Sequence, residues 1–257
     1  MDFDDMLHMA NDIPERLVNM RGCVTGATGW FGTWVCYALD YIGADYVMLD
    51  TRKIKPVDCD WCIHLAHGES QPLIDMLLKT NVQHVLFTSS GAVYDRELSG
   101  YGRTKLAHEN QFLESGLPVN IARCFTLTGK GVCRKALAIG AFINAAKNGE
   151  PLEVYNGGKT VRTYMYMADL VIWLLNLLVA DKGNIIDVGG DQPINILELA
   201  QMVIDRMGGQ MILSDNFYVH EARPYYVPNI KRAAEFGLYV HTNLETAIDK
   251  TIKSECA

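Results

Sequence analysis

The sequence predicts an α/β fold, in which a doubly wound parallel sheet is followed by a small C-terminal lobe. Short apolar runs alternate with segments of helical periodicity between residues 22 and 124. This alternation is typical of a parallel sheet covered by helices on both faces. The rhythm changes after Gly129, where turn residues become frequent. With 257 residues, 49% of them hydrophobic, the chain is long enough to bury a sizeable core.

The first half of the chain contains the elements of this sheet in a regular order. Strands are predicted at residues 22–25, 46–50, 61–66, 84–89 and 119–124, and helices at residues 32–41, 73–79 and 101–113. Right-handed crossovers between parallel strands would wind the sheet in both directions.

Residues 1–20 precede the first strand and form an N-terminal extension. Met6, Met9, Ile13, Leu17 and Met20 recur at helical spacing, which predicts an amphipathic helix. We expect this helix to pack on the sheet or on a partner subunit.

The second half contains fewer and more widely spaced elements. A helix is predicted at residues 136–148, and turn-rich segments at 149–151 and 156–158 indicate a short hairpin. Asp169 is expected to cap or open a helix at residues 170–179, and residues 185–187 are predicted to form a strand that returns to the main sheet.

A last helix is predicted at residues 199–207. Asn195 and Glu198 fit the N-cap and N3 positions of a start that resembles a capping box. Gly208-Gly209 would end the helix.

The composition argues against several classes of partner. The formal net charge is −7 and the pI is near 5.5, so the chain lacks the basic surface that nucleic acid requires. The most apolar run, residues 170–180, is too short to span a bilayer. The acidic start is unlike a secretory signal peptide, and the odd number of cysteines, seven, suggests reduced thiols. We therefore expect a cytoplasmic protein with a small-molecule ligand, bound neither to a membrane nor to nucleic acid.

Two short motifs resemble parts of a metal site. Cys59 and Cys62 have C-x-x-C spacing, and His64 and His67 follow closely. No second cysteine pair accompanies the first, and no third ligand is evident beside the histidines. We therefore predict no metal site.

The stretch Val24-Thr25-Gly26-Ala27-Thr28-Gly29-Trp30-Phe31-Gly32 places three glycines between a predicted strand and a predicted helix. Gly26 permits a tight turn, Gly29 allows the backbone to approach a pyrophosphate at the helix N-terminus, and Gly32 allows close packing of helix and strand. Asp50, at the end of the next strand, can accept hydrogen bonds from the ribose hydroxyls of NAD. Arg52 and Lys53 follow directly, which leaves NADP possible. The sequence therefore predicts a Rossmann-like, dinucleotide-binding sheet.

This interpretation divides the chain into three parts. Residues 1–20 are the helical extension, and residues 21–128 form the dinucleotide-binding domain, to which residues 161–190 return. Residues 129–160 and 191–257 form the small lobe that is expected to bind the substrate.

Several motifs accompany the glycine turn in a fixed order. They are Ile63-His64-Leu65-Ala66, Ser89-Ser90-Gly91-Ala92-Val93-Tyr94, Tyr101-Gly102-Arg103-Thr104-Lys105, and the segments 162–170 and 184–190. Together they resemble the short-chain dehydrogenase/reductase superfamily, and within it the extended branch of NAD-dependent epimerases and dehydratases that act on nucleotide sugars. The resemblance covers nearly all of the chain after residue 20.

The chain is a shortened example of that pattern. Between Asp50 and Asp60 there are too few residues for the usual helix and third strand, so we expect the outer edge of the sheet to be trimmed. A stretch is also missing between Ala66 and Thr88, which shortens a helix that relatives use for dimerisation. The resemblance still implies a homodimer, and the N-terminal helix could compensate for the shortened interface.

The resemblance also implies which residues carry the chemistry. Tyr101 and Lys105 lie one helical turn apart, so an ammonium can sit beside a phenol whose pKa is otherwise about 10. Tyr101 would exchange a proton with a sugar hydroxyl, Ser90 would hold the same oxygen, and NAD would carry the hydride. The implied cofactor contacts are Gly26, Thr28, Gly29, Trp30, Phe31, Gly32, Asp50, Leu65, Ala66, His67, Thr88, Tyr101, Lys105 and Phe125.

For the substrate, the resemblance implies Ser90, Thr126, Arg162 and Arg223. Two guanidinium groups suit a diphosphate because each can pair two phosphate oxygens. Surface ion pairs are the alternative role of these arginines. Where the family has Arg-x-Phe-Asn, this chain ends the motif with Thr126, so a hydroxyl replaces an amide.

The residues after Ser90 narrow the reaction. The resemblance implies that relatives which dehydrate or decarboxylate the sugar have an acidic residue at the two positions after the serine. This chain has Gly91 and Ala92 there, so it offers no obvious general acid to expel a leaving group. The sequence therefore predicts an NAD-dependent nucleotide-sugar epimerase or oxidoreductase. Two alternatives remain: a catalytically idle NAD(P)-binding sensor or scaffold, and a reductase of a non-sugar carbonyl.

Overall fold

The computed structural model describes residues 12–95, 99–134, 137–214 and 223–257. The longer helices are α1 (Trp30–Tyr41), α2 (Gln71–Leu77), α3 (Gly100–Glu114), α4 (Ala138–Asn148), α5 (Met167–Val179), α6 (Ile196–Met207) and α7 (Leu244–Cys256). The strands are β1 (Gly22–Thr25), β2 (Tyr46–Leu49), β3 (Trp61–His64), β4 (His84–Ser90), β5 (Val119–Cys124), β6 (Leu127–Thr128), β7 (Leu152–Tyr155), β8 (Val161–Arg162), β9 (Met165–Tyr166), β10 (Ile185–Val188), β11 (Ile194–Asn195), β12 (Met211–Ser214) and β13 (Tyr225–Tyr226).

The centre of the fold is a six-stranded sheet in the order β10-β5-β4-β3-β1-β2. All of its pairs are parallel, which confirms the predicted fold class. Strand β1 pairs with β2 on one side and with β3 on the other, so the direction of winding reverses beside β1. In open parallel sheets a ligand cleft forms at such a reversal, outside the carboxyl ends of the strands.

Helix α5 is almost entirely buried in the hydrophobic core beside the sheet. Every residue from Met167 to Val179 is buried except Asn176. A helix that is apolar on all sides belongs in an interior, and α5 packs against α1 in the core that also contains Trp34 and Trp61. A second apolar cluster, around Phe142, Leu199 and Ile248, joins helices α4, α6 and α7.

The trimmed edge of the sheet appears as expected. Residues 50–60 contain neither helix nor strand, so β2 remains the edge strand. Helix α2 contains only seven residues, from Gln71 to Leu77.

Residues 1–11 of the predicted N-terminal helix lie outside the described part of the chain. The described part contains the 3-10 helix Glu15–Asn19. Ile13 and Leu17 are buried in the same core as α5, and Arg16 donates a hydrogen bond to the carbonyl of Val179. This segment therefore packs on the chain's own core.

The predicted hairpin after α4 is wrong. Strand β7 pairs in parallel with β12, which follows α6, and β8 pairs with β11 and β13. Asn156, Gly157 and Gly158 all have positive φ, and they turn the chain away from β7 instead of returning it alongside. A turn-rich segment predicts a change of direction, but it does not specify which strand becomes the neighbour.

Asp169 also has a role other than the predicted one. The N-cap position of α5 is Tyr166, and Asp169 is a buried residue of the first turn. Its carboxylate accepts hydrogen bonds from the backbone N–H of Thr242 at 2.9 Å and from the Thr242 hydroxyl at 3.3 Å. By contrast, the capping box of Asn195 and Glu198 is present as predicted.

Two helical segments near the C-terminus were not predicted. They are the 3-10 helix Ile230–Phe236 and helix α7. Among the residues that the structure describes, no helix combines the length and the apolar character needed to cross a membrane.

Candidate active site

A cleft of about 870 Å³ lies outside the carboxyl ends of β1, β3, β4 and β5, and the second apolar cluster forms its far wall. Many of the predicted site residues line it: Gly26, Gly29, Trp30, Phe31, Gly32, Leu65, His67, Thr88, Ser90, Tyr101, Lys105, Phe125, Thr126, Arg162 and Arg223. Over the described residues, the lining does not include Thr28, Asp50 or Ala66.

The glycine turn at one end of the cleft is sterically constrained. Gly26 has φ +69°, and a Cβ atom there would lie 2.7 Å from the backbone nitrogen of Ala66. A Cβ atom at Gly32 would lie 2.1 Å from the carbonyl oxygen of Gly26. Both positions therefore require glycine, one for its backbone conformation and the other for close packing of helix on strand.

The N-terminus of α1 opens into the cleft through Gly29, Trp30 and Phe31. Gly29 is the N-cap residue, and within the described structure no side chain caps this end and no acidic residue lies in the first turn. The backbone N–H groups and the helix dipole are thus available to an anion. This end of the cleft fits the pyrophosphate of a dinucleotide.

Asp50 lies at the end of β2, outside the cleft lining. Its carboxylate accepts two hydrogen bonds from the Arg52 guanidinium, Nε to Oδ1 at 2.9 Å and Nη2 to Oδ2 at 3.0 Å. These bonds hold the pKa of Asp50 at about 2. If a dinucleotide ribose binds Asp50 as predicted, its hydroxyls would compete with Arg52 for the carboxylate.

Ser90 and Tyr101 meet at the middle of the cleft. Ser90 ends β4, and its Oγ accepts a hydrogen bond from the backbone N–H of Ala92 at 3.2 Å. Tyr101 lies in the first turn of α3 and is 47% exposed, because its ring faces the open cleft. Partial burial of the phenol raises the pKa of Tyr101, and the Ser90 hydrogen bond and the Arg223 charge oppose that rise.

Lys105 lies one turn further along α3 and is 4% exposed. Its Nζ donates a hydrogen bond to the carbonyl oxygen of Thr88 at 2.8 Å and lies 4.9 Å from the centre of the Phe87 ring. Burial lowers the pKa of Lys105 to about 8. The ammonium is therefore held in a weakly solvated position at the cleft, on the helical turn that follows Tyr101.

The two histidines of the sequence motif separate. His64 is fully buried on β3, where its Nδ1 lies 2.6 Å from Thr25 Oγ1 and its Nε2 lies 3.2 Å from Ser70 Oγ. Burial lowers the pKa of His64 to about 3, so it is a neutral core residue. His67 lines the cleft with its ring 5.9 Å from that of Tyr101. In the described ranges no three His, Cys, Asp or Glu side chains group as a metal site.

The two arginines of the other end are held by contacts within the protein. Arg223 forms an ion pair with Asp95. Arg162 donates hydrogen bonds from Nη1 to the carbonyl oxygens of Val161 at 2.8 Å and of Arg223 at 2.7 Å. Both side chains line the cleft, so neither is confined to a surface ion pair.

Tyr226 is the main lining residue that the sequence motifs did not indicate. It lies on β13, three residues after Arg223, and its hydroxyl is 3.5 Å from Ser90 Oγ. Its ring lies 4.5 Å from the ring of Phe125. The only signal available in the sequence was its closeness to Arg223. Ser89, Cys124, Glu153, Tyr155 and Thr160 also line the cleft and were not predicted.

The position after Ser90 has no room for a side chain. A Cβ atom at Gly91 would lie 2.6 Å from the Phe125 ring, closer than real Cβ contacts come. Ala92 is buried and apolar. A carboxylate at position 91 would therefore require the Phe125 ring to move.

These features define a class of protein: a dinucleotide-binding α/β enzyme with the serine, tyrosine and lysine of a short-chain dehydrogenase/reductase. Residues 62–189, about half of the chain, match the NAD dependent epimerase/dehydratase family. The chain belongs to this family, as its motifs predicted, and NAD is the cofactor of the family.

Curated relatives of the chain differ in reaction. It is 26% identical over 141 residues to UDP-glucuronic acid decarboxylase 1 of Xenopus tropicalis, and the match covers 54% of this chain and 34% of that protein. It is 33% identical over 104 residues to a dTDP-4-dehydro-6-deoxy-D-allose reductase of a Streptomyces species, which covers 39% of this chain and 31% of the relative. The match thus spans about a third of each relative's length.

Among solved structures, the chain is similar to UDP-glucose 4-epimerase of Thermotoga maritima with UDP-glucose. The TM-score is 0.81 at 16% identity, and the match covers 91% of this chain and 98% of the other. At this identity the likeness establishes the fold and leaves the reaction open.

Proposed function

We propose that this chain is an NAD-dependent enzyme that transfers hydride at a hydroxyl or keto carbon of a nucleotide sugar, with Tyr101 as the general acid/base. The observation that carries the proposal is the meeting of the glycine turn, Ser90, Tyr101 and Lys105 in one cleft. A scaffold protein has no need for a phenol and a buried ammonium on adjacent turns of one helix.

The residues act on a single proton and a single oxygen. Bound NAD would supply the hydride chemistry at the sugar carbon. Tyr101 takes the proton of the sugar hydroxyl at its phenolic oxygen and gives it back when the carbonyl is reduced. Ser90 donates a hydrogen bond to the same sugar oxygen and keeps it in line. The Lys105 ammonium favours the phenolate of Tyr101, because a nearby positive charge stabilises the charged form.

The other end of the cleft suits the nucleotide diphosphate. Arg162 and Arg223 reach the same cleft from β8 and from the segment before β13. Each guanidinium group can bind two phosphate oxygens, and Thr126 adds a hydroxyl to the lining of the same cleft. We assign substrate binding to the small lobe, residues 129–160 and 191–257, which carries Arg223 and much of the far wall.

Epimerisation or reduction fits the site better than decarboxylation or dehydration. Positions 91 and 92 are glycine and alanine, so the chain lacks the carboxylic acid that the resemblance implies for dehydrating or decarboxylating relatives directly after the serine. A decarboxylase among the relatives does not alter this argument, because its match covers only 34% of that protein.

The alternatives have less support. A non-sugar substrate would be favoured if Arg162 and Arg223 pointed away from the cleft, and both line it. A catalytically idle sensor is supported by the loss of family contacts to cofactor and substrate, such as the amide that Thr126 replaces, and it is opposed by the intact Ser90, Tyr101 and Lys105. We also propose that the chain forms a homodimer, as the family resemblance implies. We propose that it is cytoplasmic because all seven cysteines are free thiols, which suits a reducing compartment; this includes Cys23 and Cys59, whose sulfurs lie 3.6 Å apart.

The first experiment is to record the absorbance spectrum of the purified protein, denature it, and assay released NAD(H) and NADP(H). Stoichiometric bound NAD favours the epimerase, because an epimerase regenerates its cofactor in each turnover. The holoenzyme is then incubated with a panel of UDP- and dTDP-sugars, and reduction of the cofactor is followed at 340 nm. Reversible binding of NAD with net reduction of a keto sugar favours the oxidoreductase. A protein that binds no dinucleotide overturns the proposal.

A further inference from the structure

Ser90 lies between two phenols. Its hydroxyl is within hydrogen-bonding reach of Tyr101 on one side, and its Oγ is 3.5 Å from the hydroxyl of Tyr226 on the other. The Ala92 backbone N–H also donates to Oγ at 3.2 Å. The proposed reaction uses Ser90 and Tyr101 but gives no role to Tyr226.

The hydrogen-bonding capacity of Ser90 restricts what Tyr226 can do. A serine hydroxyl has one proton to donate and two lone pairs to accept. The Ala92 N–H occupies one lone pair. If Tyr226 donates to the second, the serine proton has only the direction of Tyr101 and the reacting oxygen left. If Ser90 instead donates to Tyr226, that proton is lost to the reaction.

We propose that Tyr226 is a positioning residue, whose hydroxyl donates to Ser90 Oγ and thereby directs the single Ser90 proton towards Tyr101 and the substrate oxygen. This inference rests on the function proposed above. It adds a residue that the family motifs of this chain did not indicate.

Tyr226 has the protonation state and the rigidity for this role. Burial raises the pKa of Tyr226 to about 12, so it keeps its proton at physiological pH and remains a donor. Its ring packs on Phe125, and the Arg162 and Arg223 guanidinium carbons lie 5.5 and 5.0 Å from its centre. Strand pairing with β8 sets Tyr226 opposite Arg162.

The Tyr226 hydroxyl oxygen and Ser90 Oγ are far apart for hydrogen-bonded atoms. At 3.5 Å the Tyr226 contact is at the outer limit of a hydrogen bond. Catalytic hydrogen bonds are often long in the absence of substrate and shorten in the complex. The arginines that flank the Tyr226 ring are those proposed to bind the diphosphate, so diphosphate binding and orientation of Ser90 would be linked.

Tyr226→Phe tests the proposal because it removes the hydroxyl and keeps the ring. We expect kcat to fall roughly five- to tenfold, with KM and the Kd of NAD unchanged. Adding Tyr226→Phe to Ser90→Ala should cost nothing further, because the hydroxyl acts only through Ser90. Tyr225→Phe is the matched control: it is the adjacent tyrosine of the same strand, is 65% exposed, and should retain full activity. Equal losses in the presence and absence of Ser90 overturn the proposal.

A second measurement needs no substrate, and so separates this proposal from the proposed function. The pKa of Tyr101 is obtained on the NAD-loaded protein from the ultraviolet phenolate signal, as wild type minus Tyr101→Phe. Tyr226→Phe should raise that pKa by about half a unit to one unit, because Ser90 no longer directs its proton to the phenolate. A fall means that Tyr226 competes for the Ser90 proton and overturns the proposal, as does no change. The expected rise in a protein that turns over no sugar nucleotide leaves the positioning role intact and removes the proposed function.

Discussion

The two ends of the cleft are built in different ways. At the cofactor end, the shape comes from backbone: the Gly26 turn, the N-terminus of α1, and strand ends that the sheet register places side by side. At the substrate end, the shape comes from side-chain contacts between distant parts of the chain. Asp95 pairs with Arg223, Arg162 bonds to the Arg223 carbonyl, and the rings of Phe125 and Tyr226 pack together.

This difference implies different costs of binding. A pyrophosphate at the cofactor end meets N–H groups that no side chain of the described structure caps. The proposed diphosphate at the substrate end would meet Arg223, whose charge Asp95 already balances. We therefore expect the cofactor end to be largely preformed and the substrate end to rearrange on binding. The following variants test that contrast, beginning with the largest expected effect.

Tyr101→Phe removes the proposed general acid/base at the junction of the two ends. We expect hydride transfer to slow by about 10²- to 10⁴-fold, with the Kd values of NAD and of the sugar nucleotide unchanged. Single-turnover absorbance of the cofactor at 340 nm measures the chemical step directly. Tyr239→Phe, at an exposed tyrosine outside the cleft lining, is the control and should behave as wild type. A loss of less than about threefold would mean that another group carries the proton.

Lys105, at the cofactor end, makes the free energy of unfolding of the chain depend on pH. Its pKa is about 8 when folded against 10.5 for an unperturbed lysine, so between these values the unfolded chain holds a proton that the folded chain has released. Stability therefore rises with pH in that window. Without dinucleotide, wild type should gain about 2 kcal/mol relative to Lys105→Met between pH 7 and pH 10.

Urea unfolding of both proteins at each pH measures this difference. Comparison with Lys105→Met cancels the other groups that titrate in the same range. Parallel profiles for the two proteins would mean that Lys105 keeps its proton in the folded state, through contacts stronger than the Thr88 carbonyl.

The same contrast explains which predictions succeeded. The strands, the glycine turn and the Asn195 capping box depend on residues close together in the sequence, and the structure contains all of them. The partner of β7 depends on a strand more than fifty residues later in the chain, and the hairpin predicted for that region was wrong. Local geometry leaves a pattern in the sequence, whereas the choice of a distant neighbour depends on packing.

The candidate site divides in the same way. Ser90, Tyr101 and Lys105 have fixed spacings around strand β4 and on helix α3, so their motifs could be recognised. Tyr226 reaches Ser90 from 136 residues away, and nothing near it in the sequence indicates that contact. Asp50 was expected at the cofactor, but the sequence did not indicate that Arg52 would bind both of its oxygens.

Arg223→Ala tests the substrate end. We expect the Kd of UDP to rise about 10- to 100-fold, because a charge-assisted hydrogen bond is lost, while the Kd of NAD stays constant. Arg206→Ala is a matched control: its side chain is 22% exposed against 24% for Arg223, and it is also ion-paired, but it lies outside the cleft lining. Titration calorimetry measures both ligands. Asp95→Asn should tighten UDP binding, because it leaves the Arg223 charge unbalanced; weaker UDP binding would show that Asp95 serves to position Arg223.

The smallest expected effect concerns Asp50, a predicted cofactor contact. Like Arg223, it is held in an ion pair within the protein. Arg52→Ala removes the guanidinium from both carboxylate oxygens of Asp50 and leaves only the backbone N–H of residue 52, which donates to Oδ1 at 3.0 Å. NAD should therefore bind more tightly, by less than about fivefold, since an exposed ion pair is weak. Lys53→Ala removes a neighbouring charge without breaking the pair and serves as the control. Fluorescence titration with NADH and NADPH measures both variants. If Arg52→Ala weakens binding instead, Arg52 itself contacts the cofactor, and the preformed part of the cleft ends before Asp50.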